Sequence, residues 1–205
     1  MDSNIEFNED HKEVLRELMN VAYGSSTAVI AEILDAFATL RVPKIELFND
    51  EELRKYLLDR VDQDKDAFLC IQGINGKVAG ESIFVLNRSS VENLALYFDL
   101  DEEASEEDLK DVATELTNIL SSSTVGKLAE QVNSSVSFSP PSVSIVNGLS
   151  MGDDLKMKNY SQAIVICTSI EFEKEKIHGD LILFMQDQSI VWLKAALDKI
   201  ISEYL

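Results

Sequence analysis

Apolar residues recur every three or four positions from residue 9 to 37. The same rhythm returns from 105 to 133, so both stretches are read as long helices. Elsewhere the apolar residues gather into short, β-branched runs, and these predict strands at 40–48 (LRVPKIELF), 67–74 (AFLCIQGI), 77–87 (KVAGESIFVLN), 135–147, 161–172 and 177–186. Asn75-Gly76 predicts a tight turn between the second and third of these. Shorter helical patterns follow at 88–98 and 187–203. Ser105 with Asp108 resembles a capping box at the start of the second long helix. The charged stretch 49–65 reads as an extra surface helix capped by Asn49. The pair of prolines in FSPPS (138–142) predicts a kink at an edge strand.

The order of elements occurs twice. An offset of 98 aligns Glu17 with Glu115, Leu18 with Leu116, Asn20 with Asn118, Ala31-Glu32 with Ala129-Glu130 and Pro43 with Pro141. An offset of 99 aligns Gly80 with Gly179, Ile83 with Ile182, Ser90 with Ser189 and Leu94 with Leu193. Two matches in the same order, at nearly the same offset, indicate duplication. The expected fold class is α+β: a pseudo-twofold duplicated unit of long helix, strands and closing helix. Residues 1–205 are read as a single domain of two pseudo-repeats, about 9–98 and 105–203, sharing one sheet or one core.

Each long helix carries a polar stripe beside an apolar one. The polar stripes are Glu13, Glu17, Asn20, Gly24 and Asp111, Glu115, Asn118, Ser122; the apolar ones are Val14, Leu18, Val21 and Val112, Leu116, Ile119. A lone Glu-x-x-Asn is ordinary helix surface. Its recurrence at equivalent places, where most other surface positions differ, gives it weight. Asn disfavours helix but offers both a donor and an acceptor. It cannot take a proton, yet it can hold a water in line with an electrophile. Glu, one turn earlier on the same face, can anchor a cation on a docking partner. The small residues Gly24 and Ser122 let a partner come close. Positioning of an attacking water is a recurrent device in phosphoryl-group hydrolysis.

Composition narrows the field. At 45% hydrophobic residues the chain is globular, and a net charge of −19 disfavours attraction to nucleic acid or anionic lipid. No apolar run approaches the ~20 residues of a membrane span, and the acidic N-terminus does not read as a signal peptide. Cys70 and Cys167 lie within apolar runs and read as buried reduced thiols, consistent with a cytoplasmic protein. Only two histidines occur, and no zinc, P-loop, dinucleotide or nucleophile-elbow signature is present. The acidic run 99–108 lacks EF-hand spacing and reads as a linker and helix N-terminus. Glu17 and Glu115 acting as paired catalytic carboxylates would have to converge within about 10 Å.

The pattern acid-x3-Glu-x2-Asn, with a proline 23 positions after the Asn, occurs as Glu13, Glu17, Asn20, Pro43 and as Asp111, Glu115, Asn118, Pro141. It resembles the CheC/CheX/FliY family of chemotaxis phosphatases, and the two-copy layout resembles CheC. The resemblance implies dephosphorylation of a CheY-like response regulator by insertion of the Glu- and Asn-bearing helix into its active site. It implies that Asn20 and Asn118 orient the water and that Glu17 and Glu115 pair with a lysine of the receiver domain. The Mg²⁺ would belong to the receiver, and this chain would bind no cofactor. A CheD-like deamidase is a further implied partner. A non-catalytic interaction module of the chemotaxis or flagellar-switch apparatus is the alternative. Two positions depart from the family pattern: Glu13 stands where Asp or Ser is usual, and Ser122 where Gly is usual.

Overall fold

The computed structural model describes residues 5, 7–34, 39–40, 44–49, 51–52, 55–56, 59, 66–98, 100, 103–146, 163–172, 176–185 and 187–204. The elements run α1 (Glu9–Leu34), β1 (Thr39–Leu40), β2 (Lys44–Phe48), β3 (Ala67–Gly76), β4 (Gly80–Asn87), α2 (Arg88–Ala95, continued by a 3₁₀ turn Leu96–Phe98), α3 (Glu106–Gln131), β5 (Val136–Phe138), β6 (Ser142–Val146), β7 (Ala163–Phe172), β8 (Ile177–Met185) and α4 (Asp187–Tyr204).

All eight strands form one antiparallel sheet in the order β1-β7-β8-β4-β3-β5, with β2 also on β7 and β6 also on β3. The hairpins β3-β4 and β7-β8 meet at the centre through β4 and β8. There Ile83 pairs with Ile182, the two residues that the 99-residue offset aligns, so the sheet's pseudo-twofold axis passes between them. The outer strands are exchanged. β1 and β2, from the first half, pair with β7 of the second, while β5 and β6 pair with β3 of the first.

Side chains alternate across the strands. One face meets the helices in the main core, where Phe68, Phe84, Ile166, Phe172 and Leu183 pack against Leu15, Met19, Leu116, Leu120 and Leu193. Residues of the opposite face, including Leu69, Ile83, Val85, Val165, Ile182 and Phe184, form a second cluster with Phe48 and Tyr56. The repeated glycines sit where the central strands leave no room. A Cβ at Gly80 would run into the Phe184 carbonyl, and one at Gly179 would meet the rings and methyls of Phe84 and Leu86. Cys70 and Cys167 are buried free thiols, and burial pushes the Cys70 thiol up to about 11.

α1 and α3 lie side by side and antiparallel. Ser26 meets Thr124, with the hydroxyl oxygens 2.8 Å apart, and the Gln131 side chain donates to the Leu18 carbonyl at 2.9 Å. Ser26 and Thr124 are again mates under the helix offset of 98. The Ser26 hydroxyl donates to the Ala22 carbonyl, so the Thr124 hydroxyl is the donor between the pair.

Three expectations shift. The turn expected at Asn75-Gly76 falls at Lys77–Val78. β3 runs on because Asn75 and Gly76 pair with Ser137 and Val136 of β5, with Gly76 at φ 131°. The strand expected at 135–147 divides at Ser139–Pro141, where neither proline can supply a ladder N–H. The apolar stripe expected on α1 is rotated: Leu15, Met19, Ala22, Tyr23 and Ile30 are buried, whereas Val21 is 53% exposed. Of the surface helix expected at 49–65, residues 51–52 and 55–56 are helical. Asn49 caps it by bonding reciprocally with Glu52 at 2.9 Å. Asp59 lies in a turn, its N–H donating to the Lys55 carbonyl at 3.0 Å; the remaining residues of that stretch, and Pro43, lie outside the described residues.

Candidate functional site

Each long helix is fixed at its start by a side chain. Ser105 and Asp108 form a complete capping box on α3, and these hydrogen bonds hold the Asp108 carboxyl below its ordinary value. On α1, Asn8 accepts from the His11 N–H at 2.9 Å, and the Asn8 N–H donates to His11 Nδ1 at 3.2 Å. His11 Nδ1 is therefore an acceptor, and Nε2–H donates to Asp198 of α4 at 2.7 Å. That bond, from a buried ring, holds the Asp198 carboxyl below its ordinary value.

The polar stripe of α3 faces out: Asp111, Glu115, Asn118 and Ser122 are all exposed. The face beneath it is polar as well. Thr117, Ser121 and Thr124 are buried, and the Ser121 hydroxyl lies 2.7 Å from that of Ser82 on β4. Gln72 of β3, fully buried, reaches up to the stripe. Its Nε2 donates to Asn118 Oδ1 and to the Ser139 carbonyl, both at 3.0 Å. Ser139 is stitched to the same strand. Its N–H donates to the Gly73 carbonyl at 3.0 Å, and its Oγ accepts from the Gly73 N–H at 2.9 Å. Pro140 and Pro141 follow directly. A residue before proline is biased to extended backbone, so the pair stiffens the turn that presents the Ser139 carbonyl. Beside the stripe a shallow cavity of about 350 Å³ is floored by Phe98, Leu100 and Val112 and rimmed by Asp108, Asp111 and Glu115.

On α1, Glu13, Glu17 and Gly24 are exposed and Asn20 is half-buried. Beneath them lie Met19 and Tyr23, where α3 has Thr117 and Ser121. Glu17 stands nine residues before the Ser26–Thr124 crossing, and Glu115 nine before it on the antiparallel partner. At 1.5 Å per residue the two carboxylates are roughly 27 Å apart along the helices. Glu17 and Glu115 therefore do not converge as a carboxylate pair. The asparagines, six residues before the crossing on each helix, are about 18 Å apart by the same measure. Among the described residues no group of His, Cys, Asp and Glu could hold a metal ion.

A sequence profile described as "Chemotaxis phosphatase CheX" matches residues 68–169, about half of the chain. The match includes the whole of α3 and its stripe. The chain belongs to the CheC/CheX/FliY family. Several solved structures share its fold. FliY of Thermotoga maritima superposes with a TM-score of 0.73 at 17% identity, covering 95% of this chain and 99% of that one. CheX of Desulfovibrio desulfuricans superposes at 0.55 and 15% identity, covering 82% and 99%. The FliM middle domain of H. pylori superposes at 0.61 and 10% identity, covering 93% and 99%. No curated protein matches the chain.

Gln72 and Ser139 carry no family motif and were not expected as site residues. The signal available for Gln72 was its place as the one polar side chain in the run AFLCI-Q-GI. In a buried strand such a residue needs a reason, because an unpaired amide there is costly. No described helix is long and apolar enough to cross a membrane.

Proposed function

We propose that this chain accelerates hydrolysis of the phospho-aspartate of a CheY-like receiver in the cytoplasm, acting through Glu17 and Asn20 on α1 and Glu115 and Asn118 on α3. The observation that supports this most is Asn118: an exposed amide held from below by a buried partner, one turn past an exposed carboxylate, on a helix of 26 residues. A rigid helix can present that pair to a partner with little ordering cost.

In the proposed step the helix enters the receiver's acyl-phosphate site. The outward asparagine Nδ2–H holds one water opposite the aspartyl oxygen. Water attacks phosphorus, the P–O bond to the aspartyl carbonyl carbon's oxygen breaks, and inorganic phosphate and a free aspartate carboxylate result. Asparagine takes no proton, which leaves with the products or bulk water. Glu17 or Glu115 pairs with a lysine of the receiver. The Mg²⁺ that offsets phosphoryl charge belongs to the receiver, and this chain needs none of its own. A CheD-like deamidase is a second proposed partner.

The test is the N20A/N118A double variant, assayed for phosphate release from a panel of phosphorylated receivers. Loss of one positioned donor costs about 2–4 kcal/mol in comparable sites. The double variant is expected to fall to the receiver's own rate while remaining folded, at a somewhat lower melting temperature because the buried Gln72 amide loses its Asn118 acceptor. Full activity in a folded double variant would overturn the mechanism. The FliM middle domain, with the same fold, supports a second reading as a non-catalytic binding module. Under that reading the variant binds receivers less tightly, and the wild-type chain leaves their dephosphorylation rate unchanged.

A further inference from the structure

We infer that Gln72 is a positioning residue for Asn118, so that α3 carries a pre-aligned amide that α1 lacks; the inference rests on the reading of Asn118 as the group that holds the water. Gln72 Nε2 has two hydrogens, and both are committed, one to the Ser139 carbonyl and one to Asn118 Oδ1. A backbone carbonyl can only accept, so the Ser139 contact fixes which end of the Gln72 amide faces up. That in turn fixes Asn118: Oδ1 turns inward and Nδ2 faces out. The outward donor is the one that the proposed hydrolysis requires.

The arrangement is not explained by packing. Gln72 is fully buried in an apolar strand, and its Oε1 finds no hydrogen-bonding partner among the described residues. A leucine or methionine would fill the space without stranding an acceptor. The strand register also shows that the device is not duplicated. Gln72 pairs with Ser82, the mate of Ser82 at the 99-residue offset is Leu181, and Leu181 pairs with Thr168. The position equivalent to Gln72 thus holds a threonine, which has no amide.

The test uses Q72M, which keeps length and volume and removes both donors. In an N20A background, where the α3 site works alone, Q72M is expected to lower kcat about tenfold or more with the receiver KM unchanged. Q72M/N118A is expected to be no slower than N118A, since the two losses act through one group. A general packing defect would slow the α1 site too, and an equal loss in both backgrounds would overturn the inference. NMR supplies a readout independent of turnover. The Asn118 side-chain NH₂, assigned by its disappearance in N118A, is expected to be more ordered than that of Asn20 in the wild type and to lose that order in Q72M. Equal mobility of the two amides in the wild type would overturn the inference even if Q72M fails to fold. If N118A itself leaves the phosphatase rate untouched, the proposed function fails, while the ordering of the amide stands or falls on the NMR result alone.

Discussion

The two long helices present nearly the same outer face and rest on different undersides. α3 sits on Thr117, Ser121 and Gln72, which bond to their neighbours; α1 sits on Met19 and Tyr23. On α3 the asparagine is exposed and pinned, whereas on α1 it is half-buried, with an exposed valine next to it. Motif residues alone thus do not make the copies equal. On the proposed reading, what lies beneath each helix sets how firmly its surface amide is aimed, a part of the geometry that the outward stripe does not carry.

The largest way to break this comparison is to separate the asparagines. Under the proposed function, N118A is expected to remove most of the phosphatase rate, about tenfold or more, whereas N20A alone leaves it within about twofold, judged from the usual worth of a positioned donor. Equal losses, measured as initial rates on one receiver, would mean that the undersides do not matter. Next in size is the seam between the helices. S26A leaves the buried Thr124 hydroxyl without its acceptor and is expected to cost about 1–3 kcal/mol in urea unfolding, with both sites weakened alike. Smaller again is the cap. S105A is expected to cost about 1 kcal/mol, and its fraying should appear as faster amide exchange in the first turn of α3 and not in α1.

The smallest effect is a pH limb specific to α1. The Asp198 carboxyl is held low by His11, so the fold binds that proton less readily than the unfolded chain does. Its contribution is present above the unfolded value of 3.8 and is lost as pH falls through the lower folded value. D198N is expected to be less stable than the wild type at pH 6 and to approach it as pH falls below 3.8, as read from urea midpoints. A difference between the two that grows on acidification would have the wrong sign.

Much of this architecture could be read from residue order. Both long helices end within three residues of their expected limits, because Ser105 and Asp108 mark one start and the apolar period is sustained for seven turns. Both hairpins followed from their β-branched runs, and the structure adds that Ile83 and Ile182, aligned by the repeat offset, meet at the sheet's centre. The buried side of α1 was misjudged for a physical reason. Val14, Leu15, Leu18, Met19, Val21 and Ala22 cover an arc of roughly 160°, and periodicity alone does not say which edge of that arc, the Val21 side or the Met19 side, is buried. The stripe residues were visible as a recurring pattern. Gln72 and Ser139 were not, since they lie 46 residues before and 21 residues after Asn118 and join it only through the exchanged strands.

That exchange bears on how such a chain could have arisen. One half made alone would own a hairpin with a bare flank and an outer strand with nothing to lean on. Both needs are met when two copies lend each other their strands, as the two halves of this chain do. Fusion turns that encounter into an event within one molecule, with partners held at about millimolar effective concentration. It also releases the halves from identity, so that one carries Gln72 where the other carries Thr168.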